Sequence, residues 1–110
     1  MYCLVDSERA GGVGTIMARG LGEIAKLREQ FLEAVYDNRD QHGYTYRPDI
    51  ERETGLDYAG NLEDRADFET IAGALVRVGY INVETYEYSA SRSTPAGEAW
   101  IRYSRGRQGL

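Results

Sequence analysis

The chain contains a single cysteine, Cys3, among its 110 residues. One cysteine cannot form an internal disulfide or supply a cysteine-based zinc cage, and it fits a reducing compartment. No apolar run approaches the roughly 20 residues that a membrane-spanning helix needs. Residues 1–20 also lack the basic segment and the continuous apolar segment of a secretory signal peptide. These absences predict a cytoplasmic protein that does not enter a membrane.

The chain also lacks an excess of positive charge. Lysine and arginine number 13 against 18 aspartates and glutamates, which gives a net charge of -5 at pH 7. An acidic chain is a poor general binder of nucleic acid or anionic membranes. Hydrophobic residues make up 42% and charged residues 28%, as in ordinary globular proteins, and the length suits one domain.

No residue pattern reaches the specificity of a metal, nucleotide or hydrolase site. The only histidine, His42, follows Asp40 by two residues, and such a pair can act as a general base. A hydrated loop histidine is the simpler interpretation. Asp49 and Glu53 share a helix face that could hold a divalent cation together with another carboxylate, but a solvated acidic face on a short helix is the simpler interpretation. We therefore expect no enzymatic activity, no metal and no cofactor.

The hydrophobic spacing divides the chain into three parts. Residues 1–20 are rich in glycine, which raises the entropic cost of ordering and predicts a flexible N-terminal arm. Residues 21–104 are expected to form the folded domain, and residues 105–110 a basic C-terminal tail. The domain opens with an amphipathic helix over about 22–38, because apolar residues recur there at spacings of three and four: Leu21, Ile24, Leu27, Phe31 and Val35.

Proline, glycine and asparagine mark the next elements. Residues 44–47 favour a short strand, and Pro48 suits the start of a short helix that ends at Gly55. Asn61 is a candidate N-cap for a third helix over 62–78.

A change of period follows the third helix. Alternating residues predict a strand over 80–88, a turn at 89–91 and a short return strand at 92–94. Thr94 and Pro95 then open a final helix that ends near Tyr103.

The expected core combines apolar side chains from all of these elements. Burying each large one contributes about 1.5–3 kcal/mol. The set comprises Ile24, Leu27, Phe31, Val35, Ile50, Leu56, Phe68, Ile71, Leu75, Ile81, Val83 and Trp100.

Three segments resemble parts of one known family. Residues 49–56 (DIERETGL) resemble the second helix and glycine turn of a helix-turn-helix, and residues 74–81 (ALVRVGYI) resemble the end of a recognition helix that leads into a wing. Residues 93–100 (STPAGEAW) resemble the Thr-Pro-x-Gly segment that ends the wing's return strand. In this order, they resemble the winged helix-turn-helix superfamily of bacterial transcriptional regulators. Residues 55–61 make a longer connection than that family's usual turn, which predicts an unusual angle for the third helix.

The resemblance implies a mostly helical α+β fold with a three-helix core, a β-hairpin wing and a C-terminal helix. It also implies binding to double-stranded DNA, with the third helix in the major groove and the wing along the backbone. Residues 88–110 carry a net charge of +3 and favour a DNA-contacting edge. The expected DNA-binding residues are Arg65, Tyr86, Tyr88, Arg92, Arg102, Arg105 and Arg107, with Arg92 at the wing tip.

Charge also supports an alternative function. Residues 62–79 hold four acidic and two basic side chains, so the third helix would present like charge to phosphates. The alternative is a winged-helix module for protein–protein interaction or assembly that does not bind DNA. Leu32 and Tyr36 are left over from the apolar stripe of the first helix, which predicts a homodimer through residues 21–36.

Overall fold

The computed structural model describes residues 19–83 and 88–108. Within these ranges the protein is a mostly helical α+β fold with four helices and one small antiparallel sheet. No helix in the described ranges is both long enough and apolar enough to cross a membrane. The elements in chain order are α1 (Leu21–Asp37), β1 (Tyr44–Tyr46), α2 (Arg47–Thr54), α3 (Leu62–Arg77), β2 (Ile81–Val83), β3 (Ala90–Ser93) and α4 (Pro95–Gln108).

The ends of α2 and α3 follow the predicted signals. Gly55 adopts a left-handed conformation (φ +79°), and its N–H donates to the carbonyl oxygen of Glu51 at 2.8 Å. Glycine adopts this conformation without steric cost, which explains why α2 stops there. The Asn61 side chain accepts a hydrogen bond from the Asp64 N–H at 3.0 Å, so Asn61 is the N-cap of α3, as predicted.

The predicted N-terminal arm overlaps the folded domain at its last residues. Residues 1–18 lie outside the described ranges. The Arg19 guanidinium pairs with the carboxylates of Asp64, at 2.9 Å, and Asp67. Gly20 is the N-cap of α1, and its carbonyl oxygen accepts from the Ile24 N–H at 3.0 Å. Arg19 and Gly20 therefore belong to the domain rather than to an arm.

The sheet places β3 between β1 and β2. Tyr44 of β1 and Asn82 of β2 both pair with Arg92 of β3. The turn predicted at 89–91 is wrong, because Ala90 and Ser91 are strand residues that pair with β1. The predicted strand over 80–88 is observed at Ile81–Val83, and residues 84–87 lie outside the described ranges.

The core matches most of the predicted set. The buried members are Phe31, Val35, Ile50, Leu56, Phe68, Ile71, Leu75 and Ile81. Leu27, Val83 and Trp100 are only partly buried against this cluster, and Ile24 lies outside it. The core also buries Leu32, Tyr58 and Ile101, which the hydrophobic pattern did not select. From α4, therefore, Ile101 and not Trp100 fills the centre.

The two side chains that suggested a homodimer are used within the chain. Leu32 is 1% exposed. Tyr36 packs against the core, and its ring lies 4.2 Å from the guanidinium carbon of Arg39 and 5.6 Å from that of Arg105. Because α1 is contacted by the other three helices and by the sheet, more than one of its faces is covered. Leu32 and Tyr36 therefore give no support to the predicted homodimer through residues 21–36.

The last helix is longer than predicted. It continues to Gln108, so residues 105–108 are helical rather than a separate tail, and residues 109–110 lie outside the described ranges. Arg105 donates to the Asp37 carboxylate at 2.6 Å and ties the end of α4 to the end of α1. Arginines in the last turn also favour the negative end of the helix dipole.

A compact junction joins the end of α3 to the start of α4. The Thr94 N–H donates to the carbonyl oxygen of Tyr80 at 3.0 Å, and the Thr94 hydroxyl donates to the carbonyl oxygen of Gly79 at 2.5 Å. The same hydroxyl accepts from the Gly97 N–H at 3.1 Å. A Cβ on Gly97 would lie 2.2 Å from the Tyr80 carbonyl oxygen. The Thr94 hydroxyl and the missing side chain of Gly97 therefore allow the start of α4 to pack closely against residues 79–80.

Candidate interaction surfaces

Arg65, one of the predicted DNA contacts, is engaged within the chain. Its guanidinium carbon lies 4.8 Å from the centre of the Tyr58 ring, and its Nε lies 3.7 Å from a carboxylate oxygen of Glu69. The Tyr58 hydroxyl donates to the same carboxylate at 2.7 Å. Arg65 thus packs against the ring of the buried Tyr58, and both side chains interact with the carboxylate of Glu69.

Arg92 does not lie at a wing tip. It is in the middle of the central strand, on the exposed face of the sheet, and its guanidinium carbon lies 4.9 Å from the centre of the Tyr44 ring. The prediction failed because it placed the turn at 89–91, whereas Ala90 and Ser91 are the first residues of the strand.

The two tyrosines predicted beside Arg92 do not extend that surface. Tyr86 lies outside the described residues. Tyr88 is partly buried against the core, where its ring packs edge-on at 6.2 Å from that of Phe68. Its φ of +59° is in the left-handed region that non-glycine residues rarely adopt. Tyr88 is therefore a packing residue, and the prediction that it contacts DNA is not supported.

The remaining predicted contacts lie together on α4 but differ in their engagement. Arg105 pairs with Asp37, as described above. The Arg107 guanidinium carbon lies 5.8 Å from the centre of the Tyr103 ring. Arg102 is exposed and has no ion pair within the described part of the chain. Arg65, Arg92 and Arg105 interact with different partners on different elements. These contacts do not link the three side chains into one positive surface.

The exposed start of α3 is acidic. Glu63 is exposed, and Asp64 and Asp67 are half-buried under Arg19. Burial raises the pKa of Asp64, but hydrogen bonds from the Asp57 N–H and from Arg19 outweigh it, so its pKa is lowered overall. Asp64 therefore stays ionised at neutral pH. A helix with this surface would repel the phosphates of a DNA groove.

The residues considered for catalysis or metal binding have structural contacts. Asp40 accepts hydrogen bonds from the backbone N–H groups of His42, at 2.8 Å, and Tyr44, at 3.0 Å, and from the Tyr46 hydroxyl at 3.0 Å. The Tyr44 N–H makes the largest contribution to lowering the pKa of Asp40, which exceeds the opposing effect of burial. Asp40 thus stabilises the loop through the backbone N–H of His42, and the hydrogen bond of the His42 ring is to Gln41.

Asp49 and Glu53, the candidate cation ligands, both pair with Arg52, at 2.7 and 3.5 Å. Across the described ranges, no three histidine, cysteine, aspartate or glutamate side chains are grouped as a metal site would require.

A groove of about 670 Å³ lies between α1, the end of α3 and α4. Its apolar floor includes Leu32, Leu75 and the half-buried Trp100. Most of its lining is exposed, so the groove is open to solvent. The complete lining is Gly22, Ala25, Lys26, Arg28, Glu29, Leu32, Ala74, Leu75, Val78, Tyr80 and Trp100.

An aromatic face on α4 extends this groove. The Trp100 ring stacks on Tyr103 with 5.7 Å between centres and 29° between planes. A second hollow of about 250 Å³ shares Trp100 and Glu29 with the groove and adds Ser104 and Arg107. Trp100, Tyr103 and Arg107 recur at spacings of three and four, so they share one side of the helix. We call the groove, the hollow and this aromatic face the α1–α4 surface.

Sequence reasoning assigned Trp100 to the core and therefore missed this surface. The signal in the sequence was the Trp100-Tyr103-Arg107 spacing, together with the small residues Gly22 and Ala25 on the first helix. No family model matches the chain, and neither the comparison with curated proteins nor that with solved structures found a match.

Proposed function

We propose that this protein is a protein-interaction module with a winged-helix layout and that the α1–α4 surface is its binding site. The observation that carries the proposal is the groove itself, which leaves Trp100 half-buried and Val78 61% exposed beside an apolar floor. Tryptophan, tyrosine and arginine are the residue types that most often dominate binding energy at protein interfaces, and here they share one face of α4.

DNA binding is the second candidate function. Its support is the element order, in which three helices are followed by an antiparallel pair of strands and a further helix, an arrangement compatible with a winged helix. Against it stand the acidic surface of α3 and the separate contacts of Arg65, Arg92 and Arg105. DNA binding is driven largely by cations that meet successive phosphates, and no such row is formed by these three arginines.

Selection of displayed random peptides tests the proposed function. We expect peptides to be enriched on the wild-type protein and lost on a Val78→Glu variant, because a carboxylate there would face the apolar groove. Val76→Glu is the matched control, since Val76 is 40% exposed near the same helix end and does not line the groove. Equal enrichment on both variants would show that the α1–α4 surface is not the binding site.

A fluorescence-anisotropy titration with labelled random duplex DNA tests the second candidate. Non-specific DNA-binding proteins have dissociation constants of roughly 10⁻⁴–10⁻⁶ M at physiological salt and bind more tightly as salt is lowered. We expect no binding by micromolar protein at about 50 mM salt. Binding that weakens as salt is raised would overturn the interaction proposal in favour of DNA.

A further inference from the structure

The α1–α4 surface has the opposite charge to the chain as a whole. Lys26, Arg28 and Arg107 line the groove and its adjoining hollow, against the single carboxylate of Glu29. Within the described ranges, none of these four side chains forms an ion pair, whereas Arg19, Arg39, Arg52, Arg65 and Arg105 each do. Three cations without carboxylate partners thus border an apolar floor on a protein of net charge -5.

From this juxtaposition we propose that the groove binds an acidic amphipathic helix of a partner protein. The inference rests on the proposed function and names the chemistry of the partner. Aliphatic side chains of the partner would contact Ala74, Val78 and Trp100, which are the more accessible apolar residues of the groove. Its carboxylates would meet Lys26, Arg28 and Arg107. An amphipathic helix laid in an apolar groove is a recurrent mode of peptide recognition, in which anchors recur at spacings of three and four.

Charge distinguishes this occupant from a second copy of the chain. A symmetric dimer brings the same patch of both molecules together, so the cations of one groove would face the cations of the other. An acidic partner would instead pair with all three cations and be attracted to this surface at long range. Duplex DNA carries the required negative charge but has no apolar side chains to cover the floor of the groove.

Trp100 provides a direct readout, because it is the only tryptophan in the chain and it lines the groove. The probes are three synthetic 14-residue peptides with the same leucine spacing and with glutamate, lysine or glutamine at the other positions. Binding to the full chain is followed by Trp100 emission. We expect the glutamate peptide to bind at least tenfold more tightly than the lysine peptide, and its affinity to fall as salt is raised.

Two charge-reversal variants locate the effect. Arg28→Glu and Arg92→Glu change the net charge equally, but only Arg28 lines the groove, whereas Arg92 lies on the sheet. We expect Arg28→Glu to weaken the glutamate peptide about tenfold and Arg92→Glu to weaken it less than twofold. Far-UV circular dichroism confirms that both variants are folded.

Three results would overturn the inference. The first is equal binding of the glutamate and lysine peptides, and the second is an equal effect of the two charge reversals. The third is that none of the peptides binds. If the protein is then dimeric in sedimentation and its Trp100 emission changes on dilution, the groove is assigned to a second copy of the chain. If the protein is monomeric, the groove does not bind an acidic helix. Each of these results rejects the acidic partner only. The proposed function itself is tested separately by the displayed-peptide and DNA experiments.

Discussion

Gly97 should be the least replaceable glycine of α4. In the structure its Cα lies against the corner between α3 and β2, and an added Cβ would be 2.2 Å from the Tyr80 carbonyl oxygen and 3.0 Å from the carbonyl carbon. Ordinary contact begins at about 3.4 Å, so Gly97→Ala requires α4 and this corner to separate by about 1.2 Å. Both contacting atoms belong to the backbone, so no side-chain rotation can relieve the clash.

The expected cost follows from the contacts that this separation disturbs. Overpacking of a close contact costs about 1–3 kcal/mol, and losing a hydrogen bond costs about 0.5–1.5 kcal/mol. The bond at risk joins the Thr94 N–H to the Tyr80 carbonyl oxygen. Replacing a helical glycine by alanine returns about 0.5–1 kcal/mol through the entropy of the unfolded chain. We therefore expect Gly97→Ala to lower the free energy of unfolding by about 1–3 kcal/mol.

The same substitution in the same helix provides the control. A Cβ on Gly106 would meet no atom within 4 Å, so Gly106→Ala should leave stability unchanged or raise it by up to about 1 kcal/mol. Urea denaturation followed by circular dichroism and Trp100 fluorescence measures both variants, with equal m-values required for the comparison. If the two variants are equally stable, the close approach of α4 to Tyr80 is refuted.

Two other predictions concern the core and the loop before β1. The Phe68 ring packs edge-on against three other rings, at 4.9, 5.2 and 6.2 Å between centres, whereas Phe31 makes only one of these contacts. We therefore expect Phe68→Leu to lower the free energy of unfolding, measured by urea denaturation, by about 1–3 kcal/mol, and Phe31→Leu to lower it less. A smaller loss of stability for Phe68→Leu than for Phe31→Leu would contradict this packing. The pKa of the Asp40 carboxyl is lower in the folded state than in the unfolded chain, where it is about 3.9. The ionised carboxylate therefore stabilises the fold fully above that pH, and this contribution is lost as the pH falls through the folded-state pKa. An NMR titration should place that carboxyl below its usual pKa, and the stability gap between wild type and Asp40→Asn should narrow only below about pH 4.

Local signals predicted the helices well. The Pro48 start, the Gly55 stop and the Asn61 cap act through backbone geometry and hydrogen bonds within a few residues, so the sequence alone contains them. Errors appeared at β3, where Ala90 and Ser91 have low strand propensity but pair with β1 from a distant part of the chain. That one misplaced turn also misplaced Arg92.

The position of the candidate site depends almost wholly on how α1, α3 and α4 pack against one another. Helical spacing shows that Trp100, Tyr103 and Arg107 share a face, but it does not show whether that face is covered. Coverage was decided by Ile101, which fills the core and leaves Trp100 at the groove. In the same way, only the long-range pairs of Arg19, Arg39 and Arg105 show which cations are already neutralised.

The amino-acid sequence by itself determined the fold class, the bounds of three helices and most of the core, because helix capping and hydrophobic periodicity act over short stretches of chain. Tertiary structure alone decided which charges are paired, which aromatic ring stays exposed and where a groove opens. Those properties depend on distances between residues far apart in sequence, and no local pattern encodes them.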